Sequence, residues 1–106
     1  MGLTFKENCA DIRNSGIKKV ILGLKKYKCN LDLYDPWANK KEIKKIYGIS
    51  SILNPSLDTY DGILIGVAHQ KFKALGINKI TNYCKKKNVI YDLKNLFNSD
   101  KVDLRL

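Results

Sequence analysis

Five polar side chains lie where predicted strands end, and their types indicate a site for an anionic ligand. Lys6 follows the apolar start of the chain, Asp35 ends a second segment, His69 ends a third, and Asp92 and Lys94 end the last. In an open parallel sheet, ligands bind beyond the carboxyl ends of the strands, where helix N-termini converge. The spacing therefore predicts one cleft, with Lys6 and Lys94 as its candidate cations.

Each candidate also has an interpretation that involves no ligand. A lysine at a strand end is usually solvated, and a single histidine such as His69 is more often a hydrogen-bonded side chain than a catalyst. Asp11 and Arg13 could form a local ion pair ahead of the first helix. Residue types alone leave these structural interpretations open.

Patterns that carry catalysis or dinucleotide binding are absent from the sequence. Neither Gly-x-Gly-x-x-Gly nor the Walker pattern occurs. The three cysteines, Cys9, Cys29 and Cys84, lack metal-ligand spacing, and no base lies near Cys9 in sequence. We therefore assign no catalytic residue and no metal ligand to this chain.

An alternation of short strands and amphipathic helices predicts an α/β fold. Helices are predicted from Ile17, with Asn14 or Ser15 as N-cap, and from Asn39 to Gly48, followed by a turn at 70–75 and a helix from Ile77 through Cys84. Apolar segments predict the strands, at 1–5, 31–33, 49–53, 62–68 and 89–92. The resulting fold is one α/β domain over residues 1–106, a doubly wound and mostly parallel sheet of about five strands.

The net charge of +10 raises the alternative of nucleic-acid binding, because basic side chains neutralise phosphates. Of the 20 basic residues 18 are lysines, many of them in short runs, only two are arginines, and ten asparagines and twelve isoleucines accompany them. A compositional bias explains this charge as well as a binding patch does, so we disfavour nucleic acid as the partner.

Location is predicted from what the sequence lacks. The longest apolar stretch, 62–68, is too short to span a bilayer, and the first twenty residues carry charges where a signal peptide needs an apolar core. Together with three unpaired cysteines, these features predict a cytoplasmic protein without a membrane partner.

Five segments together resemble the UDP-glucose/GDP-mannose dehydrogenase family, specifically its C-terminal, UDP-binding domain. The longest is GLTFKENCADIRNS over 2–15; the others are YDPWA at 34–38, the stretch from Tyr60-Asp61 to Val67-Ala68-His69, YDLK at 91–94 and VDLRL at 102–106. They occur along the whole chain in the same order as in the family, and their residues are most similar to those of the branch that oxidises UDP-N-acetylhexosamines. The resemblance implies a Rossmann-like three-layer sandwich.

The family resemblance also implies a reaction and a division of labour. Such enzymes oxidise the C6 hydroxyl of a nucleotide sugar to a carboxylate in two NAD-dependent steps, through a thioester on a cysteine, for surface polysaccharide biosynthesis. The catalytic cysteine and the dinucleotide-binding glycines belong to N-terminal and central domains that this sequence does not contain. We therefore expect a UDP-sugar-binding domain that is inactive alone and that works with those domains, in a homodimer.

Site residues follow from the resemblance position by position. It implies substrate binding by Phe5 and Lys6, and also by Lys94, which often acts from a neighbouring subunit and is a lysine where some relatives have arginine. It implies contact with NAD for Arg13. The residues expected to shape the cleft are Asp11, Asp35 and His69. The alternative function from another class is a free-standing nucleotide- or anion-binding module.

Overall fold

Three parallel strands and four α-helices make up the part of the chain that the structure, a computed structural model, describes: residues 1–12 and 16–105. The strands are hydrogen-bonded in the order β1-β2-β3, and every pair is parallel. The elements are α1 (Ile17–Lys26), α2 (Lys40–Tyr47), β1 (Tyr60–Ile65), α3 (Gln70–Leu75), α4 (Ile77–Thr81), β2 (Cys84–Asp92), a 3₁₀ turn (Ser99–Lys101) and β3 (Leu104–Arg105).

Extended backbone continues the hydrogen bonding on the free side of β1. The amino group of Met1 donates to Leu64 O (2.8 Å) and Gly66 N donates to Met1 O (2.8 Å), which is the pattern of a parallel neighbour. On its other side the same segment donates from Gly2 N to Tyr34 O (2.9 Å). The start of the chain therefore lies between β1 and the segment that leads to Asp35.

The predicted number of strands is corrected by the structure. Residues 1–5 form no strand, and segments 31–33 and 49–53 meet only in a single parallel bridge between Leu33 and Ser51. At that bridge Ile52 N donates to Leu33 O (2.8 Å), and the two segments do not form a longer ladder. The described sheet thus has three strands rather than about five, and one of them, β3, was not predicted.

A second correction concerns Cys84, which opens β2 and does not end a helix. Its spacing from Ile80 and Tyr83 is helical, but α4 ends at Thr81 and the following residues pair with the start of β1. Thr59 N donates to Tyr83 O (2.9 Å), so strand pairing overrides the local period. The Cys84 side chain is buried as part of β2, so its position looks like a buried helix position in the sequence.

Helices α1 and α2 confirm the sequence pattern. The Asn39 side chain accepts hydrogen bonds from Lys41 N (2.9 Å) and Glu42 N (3.2 Å), and Gly48 ends α2 in the left-handed conformation (φ 71°). The N-caps proposed for α1, Asn14 and Ser15, lie outside the described residues.

Helices cover both faces of the sheet. Along β1, Ile63 and Ile65 belong to one apolar cluster and Leu64 packs against the other, as alternation in a strand requires. The cluster that holds Ile63 and Ile65 also includes α3 and α4, through Phe72, Ile77 and Ile80. The cluster on the Leu64 side includes α1 and α2, through Ile17, Ile21, Ile43 and Tyr47. Within residues 1–12 and 16–105, no helix is long and apolar enough to cross a membrane.

Candidate functional site

Asp35 is a buried carboxylate that ties three segments of the chain together. Its Oδ2 accepts from Leu3 N (2.6 Å) and from His69 Nε2 (2.9 Å), and its Oδ1 accepts from Trp37 N (2.7 Å) and Ala38 N (3.0 Å). Burial alone would raise its pKa, but the hydrogen bonds from His69, Leu3 and Trp37 outweigh burial and lower it. Asp35 is therefore held as a carboxylate.

The local sequence explains why the Asp35 carboxylate turns back onto its own backbone. Pro36 restricts the residue before it to extended conformations and has no N–H of its own. The next two N–H groups, of Trp37 and Ala38, are then free to bond to Oδ1. The sequence Asp-Pro-Trp-Ala thus folds as a turn capped by its first side chain.

His69 is fully buried, and its ring joins Asp35 to the start of the chain. Asn8 N–H donates to Nδ1 (2.9 Å), so Nδ1 carries no proton and Nε2 carries the proton that is donated to Asp35. Thr4 Oγ1 lies 3.2 Å from the same Nε2, and the ring packs edge-on against Phe72 at 5.3 Å between centroids. The geometry fixes a neutral imidazole with one defined tautomer.

Residues 4–8, which we call the Lys6 loop, are held by this network. Thr4 Oγ1 donates to Lys6 O (2.8 Å), and the Asn8 side chain accepts from Gln70 N at the start of α3 (3.0 Å). Asn8 itself has a left-handed backbone (φ 56°). The buried contacts leave the Lys6 side chain exposed, and Phe5 beside it has 58% of its surface exposed.

Asp92 organises a second loop in the same way. It is fully buried at the end of β2, where Oδ1 accepts from Lys94 N (3.2 Å) and Oδ2 from Phe97 N (2.8 Å). The Lys94 side chain is exposed, and its neighbour Asn95 accepts from Arg105 Nε (2.6 Å). Two buried aspartates at segment ends thus each hold a loop that carries an exposed lysine.

The two lysines belong to the same edge of the sheet. The Lys6 loop follows the segment on one side of β1, and Lys94 follows β2 on the other side, where Leu93 N donates to Ile65 O (3.0 Å). Because each lysine follows a segment that runs parallel to β1, on opposite sides of it, both lie toward the carboxyl end of β1. Within residues 1–12 and 16–105, neither Lys6 nor Lys94 forms a salt bridge.

The remaining predicted site residues have different outcomes. Asp35 and His69 are in direct contact, and the backbone carbonyl of Asp11 accepts from Phe5 N in the Lys6 loop (2.6 Å). Arg13 lies outside the described residues. In the described ranges, no three His, Cys, Asp or Glu side chains come together as metal ligands.

Sequence reasoning missed two residues that position the loop, Thr4 and Asn8. Neither residue type identifies a functional site in a sequence, because threonine is common in predicted strands and asparagine is common in loops. The one available signal was position, since both flank the predicted cation Lys6.

Comparison with known proteins identifies the family to which the sequence is related. Residues 1–99 match the sequence profile of the UDP-glucose/GDP-mannose dehydrogenase family, UDP binding domain. The chain is 44% identical over 106 residues to UDP-N-acetyl-D-glucosamine 6-dehydrogenase of Pseudomonas aeruginosa and 42% identical over 106 residues to the enzyme of that name from Salmonella typhi. In both cases the match covers 100% of this chain and 25% of the relative.

A more distant relative is Protein CapL of Staphylococcus aureus, 36% identical over 104 residues, which are 98% of this chain and 24% of that protein. The chain therefore spans about a quarter of the length of the curated relatives it matches. Because the profile match covers nearly the whole sequence, the chain belongs to the UDP-glucose/GDP-mannose dehydrogenase family and corresponds to its UDP binding domain.

Proposed function

We propose that this chain binds the UDP part of a nucleotide sugar for a 6-dehydrogenase that oxidises the C6 hydroxyl to a carboxylate. The observation that carries the proposal is the buried network of Asp35, His69 and Thr4, which holds Lys6 at the sheet edge where Lys94 also lies. Two exposed cations flanking a strand end suit a diphosphate. The named activities of the relatives support this substrate class.

The proposed task of the chain is to position the substrate, not to react with it. A UDP group is remote from C6, and binding energy from remote groups can place the reacting carbon correctly. In this proposal Lys6 donates to a phosphate or sugar oxygen, and the exposed ring of Phe5 contacts the ligand beside it. Lys94 supplies the second positive charge, within one subunit or across the homodimer that we propose for the longer enzyme.

The cofactor of the proposed reaction is NAD, which accepts hydride from the sugar. The described residues do not fit a NAD site of their own, because none of their helices begins at a Gly-x-Gly-x-x-Gly loop. Arg13 is proposed to reach toward NAD held by another domain of the same enzyme. We therefore assign no step of hydride transfer to this chain, and we propose that it is inactive alone, acts in the cytoplasm and serves surface polysaccharide synthesis.

Lys6 provides the direct test of this proposal. A charge-assisted hydrogen bond contributes about 1.5–3 kcal/mol, so Lys6→Ala should weaken UDP binding by about 10- to 100-fold, measured by calorimetry at fixed ionic strength. Lys26→Ala is the matched control, because Lys26 is also exposed but ends α1 and has no place in the site. Its affinity for UDP should match that of the unmodified chain.

Two outcomes would contradict the proposal for this chain. One is the absence of UDP binding at millimolar concentration, read as no shift of the thermal midpoint. The other is an equal loss of affinity in both lysine variants, which would indicate a general effect of charge. Salt-sensitive binding to random duplex DNA, unaffected by UDP, would instead favour the nucleic-acid alternative.

A further inference from the structure

Arg105 is an exposed cation to which the proposed function gives no role, and it lies at the carboxyl end of β3. The parallel pairing of β2 with β3 sets Arg105 beside Asp92, the last residue of β2. Asp92 also holds the loop that carries Lys94, through the bond from Lys94 N to its Oδ1. Since the carboxyl ends of parallel strands lie at one edge of a sheet, Arg105 belongs to the same edge as Lys94.

The side chain of Arg105 is held by Asn95. Its Nε donates to Asn95 Oδ1 at 2.6 Å. Asn95 itself has a left-handed backbone (φ 56°), a conformation that asparagine adopts more readily than most residues. It lies in the turn that the buried Asp92 closes with bonds from Lys94 N and Phe97 N. A long side chain that is already oriented loses less rotamer freedom when it binds a ligand.

The positive charge of Arg105 is not neutralised by a carboxylate. Asn95 is a neutral acceptor and takes only the Nε–H, so the two terminal NH₂ groups have no bond to another described residue. The two aspartates closest to Arg105 in the strand pairing and in the sequence have other partners. Asp92 accepts from the two N–H groups of its loop, and Asp103 Oδ2 accepts from Ile90 N (2.7 Å). The end of the guanidinium is therefore available to an anion.

Arg105 and Lys94 offer different chemistry to an anion. A guanidinium is a planar fork that can donate two parallel hydrogen bonds to one phosphate or carboxylate, whereas an ammonium is a point charge. Both cations adjoin Asn95, Lys94 through the chain and Arg105 through its hydrogen bond. Two like charges near one residue repel each other, and a bound anion would remove that repulsion. This end of the sheet thus combines one charge that attracts an anion with one group that can orient it.

We propose that Arg105 binds a phosphate group of the nucleotide sugar, with its two NH₂ groups donating to two oxygens of that phosphate. Asn95 is the positioning residue, because it orients the guanidinium and does not touch the ligand. Lys94 adds positive charge to the same anion. The inference rests on the proposed UDP binding and deepens it, since it assigns the orienting contact to the arginine at the end of β3 and not to a lysine.

Calorimetry with UDP at fixed ionic strength tests the assignment. Arg105→Ala should weaken binding by about 10- to 100-fold, because a charge-assisted hydrogen bond is lost. Arg105→Lys keeps the charge but not the fork, and it should still weaken binding by at least about threefold. Lys101→Ala is the matched control, because Lys101 is exposed and precedes β3 at its other end. Its affinity for UDP should equal that of the unmodified chain.

The guanidinium also has a spectroscopic readout that a structural role would not change. The sequence contains only two arginines, so the Nε–H signal that disappears in Arg105→Lys is assigned to Arg105 by nuclear magnetic resonance. UDP and inorganic phosphate should shift this signal, whereas uridine, which has no phosphate, should not. Asn95→Gly removes the acceptor but keeps the left-handed backbone accessible. It should weaken UDP binding by at least about threefold when Arg105 is present and not at all in combination with Arg105→Ala.

Unchanged UDP affinity in both Arg105 variants, while Lys6→Ala still loses affinity, would overturn this inference and leave the proposed function intact. An absence of UDP binding by the unmodified chain would overturn both. Equal losses in Arg105→Ala and Lys101→Ala, or an Nε–H signal that phosphate shifts but UDP does not, would also contradict the assignment. A loss of affinity in the Arg105 and Asn95 variants, with none in Lys101→Ala, would support it.

Discussion

Replacing Asp35 by asparagine should lower the free energy of unfolding by about 2–4 kcal/mol. The carboxylate accepts from Leu3, His69 and two N–H groups of the following turn, and it has no donor of its own. An asparagine amide must direct an NH₂ group toward at least one of these donors, which leaves buried groups unpaired. Urea unfolding followed by far-ultraviolet circular dichroism measures the loss.

Asp61→Asn is the matched control for Asp35→Asn. Asp61 has 86% of its side-chain surface exposed and faces Lys85 at 3.3 Å, so its removal should change stability by less than about 0.5 kcal/mol. Equal losses in the two variants would contradict the role given to the buried network.

Acid titration gives the Asp35 prediction a second readout. The folded-state pKa of Asp35 lies below its ordinary value of 3.8, so the stability it contributes is fully present above that value. This contribution is lost as the pH falls below 3.8 toward the folded-state pKa. Asp35→Asn should therefore be less stable at pH 7 but should lose less further stability between pH 5 and pH 3 than the unmodified chain.

Several parts of the fold could be predicted because local signals and tertiary packing agree. In α2 the cap Asn39, the buried Ile43 and the left-handed Gly48 all indicate the same helix bounds. The prediction of strands at 31–33 and 49–53 was wrong, because apolar alternation indicates which face of a segment is buried but not how many backbone hydrogen bonds the segment makes. Here a single parallel bridge joins the two segments. The helix predicted through Cys84 was wrong because a single apolar position fits both a helical and a strand period. Only the pairing of Cys84 with Tyr60 distinguishes the two.

The candidate site was predictable in outline through a repeated local device. Asp35 and Asp92 each follow a tyrosine at the end of an extended segment, and each carboxylate caps the turn that comes next. Their position at strand ends could be read from the sequence. The tautomer of His69 and the contacts of Thr4 could not, because they arise only when residues 65 apart in the chain are packed together.

The close contact between Gly2 and Val67 is the other feature whose loss should have a large effect. Gly2 has φ +91°, and a Cβ added there would lie 2.7 Å from Val67 N and 2.9 Å from Val67 Cβ. The backbone atom cannot move aside as the tip of a side chain can, so Gly2→Ala combines a disfavoured conformation with overpacking. We expect a loss of about 2–5 kcal/mol in the free energy of unfolding, measured by urea titration.

Gly23→Ala is the control that separates this contact from a general glycine effect. Gly23 lies inside α1, where an added Cβ meets nothing within 4 Å, so alanine should stabilise the helix by about 0.5–1 kcal/mol. Changes of the same sign in both variants would contradict the close approach at Gly2. Opposite signs would support the close contact of Gly2 with Val67, which lie two residues before Thr4 and His69, respectively, the pair that meets at 3.2 Å.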